Sequence, residues 1–289
     1  MNGSYDTGPG VSNPAPHAQG RSDCWIMPVL RVVAVNRASN HPNLVHNDDY
    51  ARSLGFQGGL VPGVDVYAYL TRPAVDHWGR DWPERGEGKV RFVKPVYDRD
   101  QLDIDATNDG SGKLTITARC AGEVRALLNA SNGQTDELES TDIIPESPVF
   151  EPKLKAARQS FYVGMVLGSL AVTLTETECM HQLAEVGDAL DFYRLERIVH
   201  PGHLLRFADE VLSANVDLPP WLHVGSSVRH YGLVRWDESL TVRARVMGTF
   251  VRKRNQFIQL DVLMSRLDGR PCMRVSPYTA IYKPFFRRA

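Results

Sequence analysis

The stretch from residue 41 to residue 65 gathers side chains that can move protons. It contains two histidines, His41 and His46, whose ordinary pKa lies close to neutral pH. Asp48 and Asp65 add two carboxylates. Gly63 follows a proline and opens an apolar segment that predicts a helix. These residue types can exchange protons and stabilise an anion at a helix N-terminus, although their spacing alone names no reaction.

A second group of candidates lies in the other half of the chain. Asp188 closes a segment, residues 175–188, that predicts a helix. The second half is also rich in histidine, but its histidines form no closely spaced pair with a carboxylate, so the pattern predicts no metal site. These histidines are His200, His203, His223 and His230, and we interpret His223 and His230, which lie on or near a predicted strand, as strand packing.

The elements around these residues are written twice. Leu60-Val-Pro-Gly63 has a counterpart in Val199-His-Pro-Gly202. Further along, the segment around Val90 matches the segment around Val228, and its offset differs by a single position from that between the two glycines. Two separate matches at nearly one offset indicate an internal duplication.

Each half predicts a short strand, a helix led by its glycine, and then a run of alternating strands. The alternation has a period of two, which is typical of half-buried strands. One helix followed by antiparallel strands is an α+β pattern, unlike the alternation of a parallel sheet. The clearest alternating segments are Gln101–Thr107, Lys113–Arg119, Leu240–Val246 and Phe257–Leu263.

The repeat divides the chain of 289 residues into four parts. Residues 1–22 are rich in Gly, Pro, Ser and Asn, which predicts a disordered tail. Residues 23–136 and 156–289 form the two repeated units. The polar, proline-containing stretch at 137–155 is interpreted as the linker between them.

Composition removes several classes of protein. The formal net charge is −1 and 43% of the residues are hydrophobic, so there is no strong field for a nucleic acid. No segment is apolar enough to cross a membrane, and the N-terminus has no apolar signal core. The four cysteines lie far apart, which is typical of free thiols in a reducing compartment. We therefore expect a cytoplasmic protein.

Three segments carry a resemblance to a known family. They are His46–Gly63, Pro220–His230 and the closing Tyr278-Thr-Ala-Ile-Tyr282. Together they resemble the MaoC-like hydratase/dehydratase family in its double-hotdog form. The resemblance covers residues 23–284 and implies two tandem hotdog units, each a long central helix wrapped by an antiparallel sheet.

The resemblance implies an activity and a set of roles. Members of this family add water to a trans-2-enoyl thioester or remove it from a 3-hydroxyacyl thioester, without a cofactor. His46 matches the family's catalytic histidine and Asn43 its orienting asparagine. Gly63 matches the glycine whose backbone N–H stabilises the enolate oxygen, where the lack of a Cβ lets the thioester approach.

The same resemblance implies where substrate would bind. Val61 is expected to contact the substrate, and Tyr67 either packs in the core or lines the acyl pocket. Arg252 and Arg254 would contact the phosphates of coenzyme A, although a charged hairpin turn explains them equally well. We expect an acyl thioester of coenzyme A or a carrier protein as the partner. A homo-oligomer is also expected, with a homodimer of double hotdogs as one form.

The family's aspartate is missing from its usual place. The residue five positions before His46 is His41, which could act as a base but supplies no fixed negative charge. Asp48, Asp65 and Asp188 are the remaining candidates for the partner of His46. The sequence therefore predicts an altered Asp/His dyad and leaves the second catalytic group open.

Three other functions stay open beside the lyase. A decayed dyad favours a non-catalytic acyl-binding or partner subunit. A hotdog thioesterase needs a carboxylate about two turns into the central helix; Asp209 and Glu210 meet this need in the second half, whereas the first half has Thr71-Arg72. A recruited isomerase or cyclase acting at an activated carbonyl also fits a lost aspartate.

Overall fold

The computed structural model describes residues 25–133 and 143–283. The predicted tail at 1–22 lies outside these residues, as does the start of the predicted linker at 137–142. The next stretch, residues 143–153, forms neither helix nor strand.

The first half contains three helices and six strands within its described residues. The helices are α1 (Asp48–Ser53), α2 (Gly63–Trp78) and α3 (Asp81–Arg85). A single turn of 3-10 helix precedes α1. The strands are β1 (Trp25–Ile26), β2 (Leu30–Val33), β3 (Gly86–Phe92), β4 (Gln101–Asn108), β5 (Lys113–Cys120) and β6 (Glu123–Asn132).

The described part of the second half contains three helices and seven strands, and its long helix is the last of the three. Its helices are α4 (Glu176–Val186), α5 (Asp191–Leu195) and α6 (Pro201–Asn215). Its strands are β7 (Leu154–Lys155), β8 (Leu170–Thr173), β9 (Val216–Asp217), β10 (Leu222–His230), β11 (Ser239–Arg252), β12 (Asn255–Arg266) and β13 (Pro271–Lys283).

One large antiparallel sheet joins the two halves. Its strand order is β1-β4-β5-β6-β3-β10-β13-β12-β11-β8, and β2 also pairs with β4. Read from the centre outwards, β3-β6-β5-β4-β2 and β10-β13-β12-β11-β8 follow the same path. The predicted α+β pattern is confirmed, with each half wrapping its sheet around one long helix.

The junction between the halves is symmetric to the residue. The sequence offset that carries Val90 onto Val228 also carries Gly88 onto Ser226. In the sheet, Gly88 pairs with Val228 and Val90 pairs with Ser226. The offset exchanges these two pairs, so a pseudo-twofold axis passes between β3 and β10 and the predicted duplication is confirmed.

The two central helices are buried on most sides because sheet and partner helix both cover them. Gly202 at the start of α6 packs directly on Ala68 of α2, where an added Cβ would lie 2.5 Å from the Ala68 Cβ. Asp65 of α2 and Arg206 of α6 form an ion pair at 3.0 Å. These contacts fix the position of one helix against the other, and with it the side chains at their ends.

Candidate active site

Two cavities lie side by side where the halves meet, with volumes of about 290 and 310 Å³. The first is lined mainly by apolar side chains, among them Val66, Phe92 and Ile281. The second has more charged and polar side chains in its lining, beside the apolar Ala38, Val64 and Trp221. Residues of both halves line both cavities: His46, Pro62, Asp209 and Trp221. The place where the cavities meet is therefore the candidate site.

His46 is presented as a base. It ends the 3-10 turn before α1, and its Nδ1 lies 2.7 Å from the carbonyl oxygen of Leu60. A carbonyl only accepts, so Nδ1 carries the proton and Nε2 keeps its lone pair. Burial lowers the pKa of His46 to about 4, although the bond to Leu60 opposes this shift. The imidazole is neutral at physiological pH and can take a proton at Nε2.

Asp209 is the carboxyl group that shares both cavities with His46. It projects from α6, about two turns after Gly202, and its Oδ1 accepts a hydrogen bond of 2.9 Å from the Tyr278 hydroxyl. Burial raises the pKa of Asp209 to about 7, and the bond from Tyr278 opposes that rise. Asp209 is thus a carboxyl group that is protonated in a large fraction of molecules near neutral pH.

Gly63 begins α2 at the wall of the first cavity. The first backbone N–H groups of a helix have no intrahelical acceptor and lie at the positive end of the helix dipole. The ring of Phe92 packs so closely that a Cβ on Gly63 would lie 3.0 Å from it. A larger residue at position 63 would therefore displace Phe92, and the helix start that Gly63 forms at the cavity wall can supply N–H donors to an oxyanion.

The other two polar residues predicted near His46 have structural contacts. The Asn43 side chain donates to the carbonyl of Trp221 at 2.9 Å and accepts from its N–H at 3.2 Å, which links the two halves. His41 lines the second cavity, with its ring 5.7 Å from that of His46. Its Nδ1 accepts from the Asn43 backbone. Burial and the charge of Arg206 lower the pKa of His41.

The candidate aspartates of the first half are separated from each other. Asp48 is exposed at the start of α1, where it accepts from the Gly59 N–H at 2.8 Å and pairs with Arg52. Asp65 is buried in the first turn of α2, lines the second cavity and pairs with Arg206. The structure therefore brings Asp65, but not Asp48, to the cavities that His46 lines.

Asp188 lies in an ion-pair cluster of its own. Its Oδ2 is 3.4 Å from His200 Nε2 and its Oδ1 is 3.2 Å from Arg72 of α2. Burial raises the pKa of Asp188, but the hydrogen bond and charge of His200 and the charge of Arg72 more than offset this, so the net shift is downward. Asp188 lines a third pocket, which borders the second cavity at Arg37 and Glu185, and it is not among the residues that line either cavity of the candidate site.

Only one of the four predicted substrate-binding residues lines a cavity of the candidate site. Val61 lines the first cavity. Tyr67 is completely buried in the core, and Arg252 and Arg254 lie exposed at the hairpin between β11 and β12. The cations that do line the cavities are Lys94 and Arg125 in the first, and Arg37 and Arg206 in the second.

Sequence reasoning did not pair His46 with Asp209. The signal was present, because Asp209 lies two turns into the second glycine-led helix, but we assigned it only to a thioesterase. The duplication gave no help, since the offset that carries Gly202 onto Gly63 maps Asp209 onto Leu70. His223, Trp221 and Tyr278 also enter the site only through the folded structure.

Two negative findings concern the described residues 25–133 and 143–283. No group of three or more His, Cys, Asp or Glu side chains there is arranged to hold a metal ion. None of the helices in that part of the chain is both long and apolar enough to cross a membrane.

Sequence comparisons give no relative. No protein-family model matches the chain, and no curated protein sequence matches it. Solved structures do match. A MaoC domain protein from Chloroflexus aurantiacus J-10-fl, assigned as a dehydratase, has a TM-score of 0.63 at 14% identity, covering 90% of this chain and 94% of that one.

Two further structures match over a similar length. A conserved hypothetical protein from Mycobacterium tuberculosis with a double hotdog fold has a TM-score of 0.59 at 13% identity, covering 89% of this chain and 95% of that one. A bifunctional dehydratase-cyclase domain from ambruticin biosynthesis has a TM-score of 0.52 at 14% identity, with 90% and 91% covered. The likeness is one of fold: the chain has the double-hotdog fold of MaoC-like dehydratases.

Proposed function

We propose that this protein is a hydro-lyase that interconverts a 3-hydroxyacyl thioester and its trans-2-enoyl thioester. The observation that carries the proposal is the meeting of His46 and Asp209 at the walls of the same two cavities, beside the helix-opening Gly63. A neutral base, a protonated carboxyl group and an oxyanion donor are what this reaction requires.

In the dehydration direction, His46 Nε2 removes the proton from the α-carbon of the thioester. The negative charge that develops on the thioester oxygen is stabilised by the Gly63 N–H. Asp209 then gives its proton to the 3-hydroxyl group, the bond between carbon and oxygen breaks, and water leaves. Hydration runs through the same states in reverse. Ionised Asp209 takes a proton from water as the oxygen bonds to the 3-carbon, and protonated His46 gives its proton to the α-carbon.

The charge of the cavities supports a thioester substrate with two unlike ends. The apolar first cavity suits the hydrocarbon part of an acyl group. The second cavity carries charged groups of both signs, Arg37 and Arg206 beside Asp65, Glu185 and Glu210, which suit hydrogen bonding to the polar arm of coenzyme A or a carrier protein. We therefore place the acyl chain in the first cavity and the arm in the second.

One observation favours a second candidate, thioester hydrolysis. Asp209 stands two turns into a central helix, which is where a hotdog thioesterase needs its carboxylate. Hydrolysis uses the ionised carboxylate, however, and the pKa of Asp209 near 7 keeps much of it protonated. Dehydration uses the protonated form, so we place the lyase first.

One assay separates these activities. Pure protein is incubated with crotonyl-CoA while enoyl absorbance and free thiol are followed together. Loss of absorbance without thiol supports the lyase, and thiol release at the same rate supports the thioesterase. If neither signal exceeds the no-enzyme rate across a series of enoyl thioesters, the proposed activity is wrong and a binding role replaces it.

A further inference from the structure

The carboxyl group of Asp209 lies against two strands of the sheet. Tyr278 of β13 donates its hydroxyl to Asp209 Oδ1 at 2.9 Å. His223 of β10 places its Nδ1 3.5 Å from the same oxygen. Both contacts fall on Oδ1, so this oxygen faces the sheet and Oδ2 is left for the cavities that Asp209 lines.

The two supporting side chains have little freedom to move. Tyr278 is completely buried and His223 is 2% exposed at its side chain. Their rings lie 4.5 Å apart, and the ring of Phe92 packs against the imidazole at 5.1 Å. His223 Nε2 is 2.7 Å from the Ser226 hydroxyl, which fixes the orientation of the imidazole. Tyr278 therefore cannot swing away from Asp209 without disturbing a packed cluster.

The chemistry of these groups decides where the proton on Asp209 sits. Burial and the nearby carboxylate hold the pKa of Tyr278 well above its usual value, so the phenol stays protonated and acts as a donor. An oxygen that accepts this bond is the carbonyl-like oxygen of a neutral carboxyl group. The acidic proton then resides on Oδ2.

We propose that Tyr278 is a positioning residue, backed by His223, that fixes the acidic proton of Asp209 on Oδ2 and so aims it at the substrate. The proposal rests on the proposed lyase function for the use of that proton. The hydrogen-bond arrangement itself does not depend on the reaction.

Other charged groups also act on Asp209, and the test must allow for them. The charge of Arg206 on its own helix favours ionisation, whereas Glu210 and Asp65 oppose it. Removing the Tyr278 hydroxyl leaves all of these in place. The groups that face Asp209 from each packed element are Arg206 and Glu210 on α6, Asp65 on α2, His46 before α1, His223 on β10 and Tyr278 on β13.

The test is the pH dependence of kcat/KM in Tyr278→Phe. Loss of a hydrogen bond that favours the ionised carboxyl raises the pKa of Asp209, so we expect the alkaline limb to move up by about one pH unit. At the pH optimum we expect kcat to fall about tenfold, because the proton is no longer confined to Oδ2. A mere loss of packing lowers the rate without moving the limb upwards.

Tyr282→Phe is the matched control. Tyr282 lies on the same strand and is equally buried, but its hydroxyl has no hydrogen-bond partner among the described residues. This variant should keep the wild-type profile. An alkaline limb that stays in place in Tyr278→Phe, or that moves equally in both variants, overturns the proposal.

A double variant tests whether Tyr278 acts through Asp209. In an Asp209→Asn background, Tyr278→Phe should lower the residual rate by less than twofold, since the proton it positions is gone. A second tenfold loss in that background would mean that Tyr278 acts by another route.

An infrared titration of the carboxyl groups keeps this test separate from the proposed function. The protonated carboxyl band that disappears in Asp209→Asn should titrate at higher pH in Tyr278→Phe than in the wild type. That result supports the positioning role even for a protein without lyase activity. An unchanged midpoint overturns it even where the lyase assay succeeds.

Discussion

The N-termini of the two central helices occupy equivalent places in the duplicated fold, and they differ in what they do with the backbone amide. At α6, His200 Nδ1 accepts from the Gly202 N–H at 3.0 Å. At α2, the corresponding residue is Val61, and the Pro62 cap forms no side-chain bond to the helix. One glycine amide is capped by a side chain of its own unit, whereas the start of the other helix has no side-chain cap.

The space beside the two glycines differs as well. Gly63 lines a cavity of about 290 Å³, whereas Gly202 is in contact with Ala68. The buried polar groups near Gly202 lie in ion-pair contact: Asp188 is 3.4 Å from His200 and 3.2 Å from Arg72 across the halves. Duplication therefore allows one unit to use its helix N-terminus for the proposed site, while the other unit uses its helix N-terminus to join the two units.

The largest effect on activity should come from changing Asp209, with the same change at Asp188 as the comparison. We expect Asp209→Asn to lower kcat by about 10²- to 10⁴-fold, because a general acid supplies an effect of that size. Asp188→Asn should keep kcat within about twofold per folded molecule, since Asp188 lines neither cavity. Initial rates with crotonyl-CoA measure both.

A reversed result would break the comparison. If Asp188→Asn abolishes activity while its circular dichroism and melting curve show a folded protein, the site belongs to the second unit. His46→Gln is the companion variant, and it should lose as much activity as Asp209→Asn because the two groups act in one step.

A histidine cap grafted onto the N-terminus of α2 should block its backbone amide, as His200 does at α6. Val61→His places at α2 the residue that caps α6, and the imidazole should take the Gly63 N–H. Loss of one oxyanion donor costs about 10²- to 10³-fold in kcat. Val61→Leu adds bulk without an acceptor and serves as the control. Equal losses in the two variants would show that crowding, not capping, is responsible.

The pH dependence should identify which aspartate is used. His46 must be neutral, so kcat/KM should fall tenfold per pH unit below its pKa of about 4. Asp209 must be protonated, so kcat/KM should fall likewise above pH 7. The pKa of Asp188 is shifted downward, so Asp188 cannot produce an alkaline limb near neutrality. A profile that stays flat from pH 6 to 9 would exclude Asp209 as the acid.

The fold was predictable from the sequence because its signals are local or repeated. Period-two alternation gave β4 and β5, and the helix-opening Gly63 and Gly202 gave α2 and α6. The pair of matching offsets gave the duplication. Each of these signals lies within one element or in two copies of it, so no knowledge of tertiary contacts was needed.

Only those residues of the candidate site that lie close together in the sequence were predictable. His46 and Gly63 belong to one short stretch of chain and carry the family pattern. Asp209 reaches the same cavities from the other unit, and its place two turns into the second glycine-led helix predicts a thioesterase carboxylate but no partner for His46. Which carboxylate faces His46 depends on how α6 packs against α2, and packing is not written in the local sequence.

The smallest expected effect is on stability, and it tests whether the ion pairs near the N-terminus of α6 join the two units. Asp188→Asn removes the charge that pairs with His200 and Arg72, and we expect it to lower the free energy of unfolding by about 1–3 kcal/mol at pH 7. The pKa of Asp188 is lower in the folded state than its ordinary value. Its contribution is therefore present above the unfolded pKa of about 3.9 and is lost as pH falls through the folded value.

The wild type and Asp188→Asn should thus converge in acid. Urea unfolding at pH 7, 5 and 3 measures the difference between them at each pH. A difference that stays constant down to pH 3 would mean that the pKa of Asp188 is the same in the folded and the unfolded protein, and a wild type that gains stability relative to Asp188→Asn as the pH falls would mean that Asp188 is protonated in the folded protein. In that second case His200 caps α6 without a charged partner, and the N-terminus of α6 is held by packing against Ala68 alone.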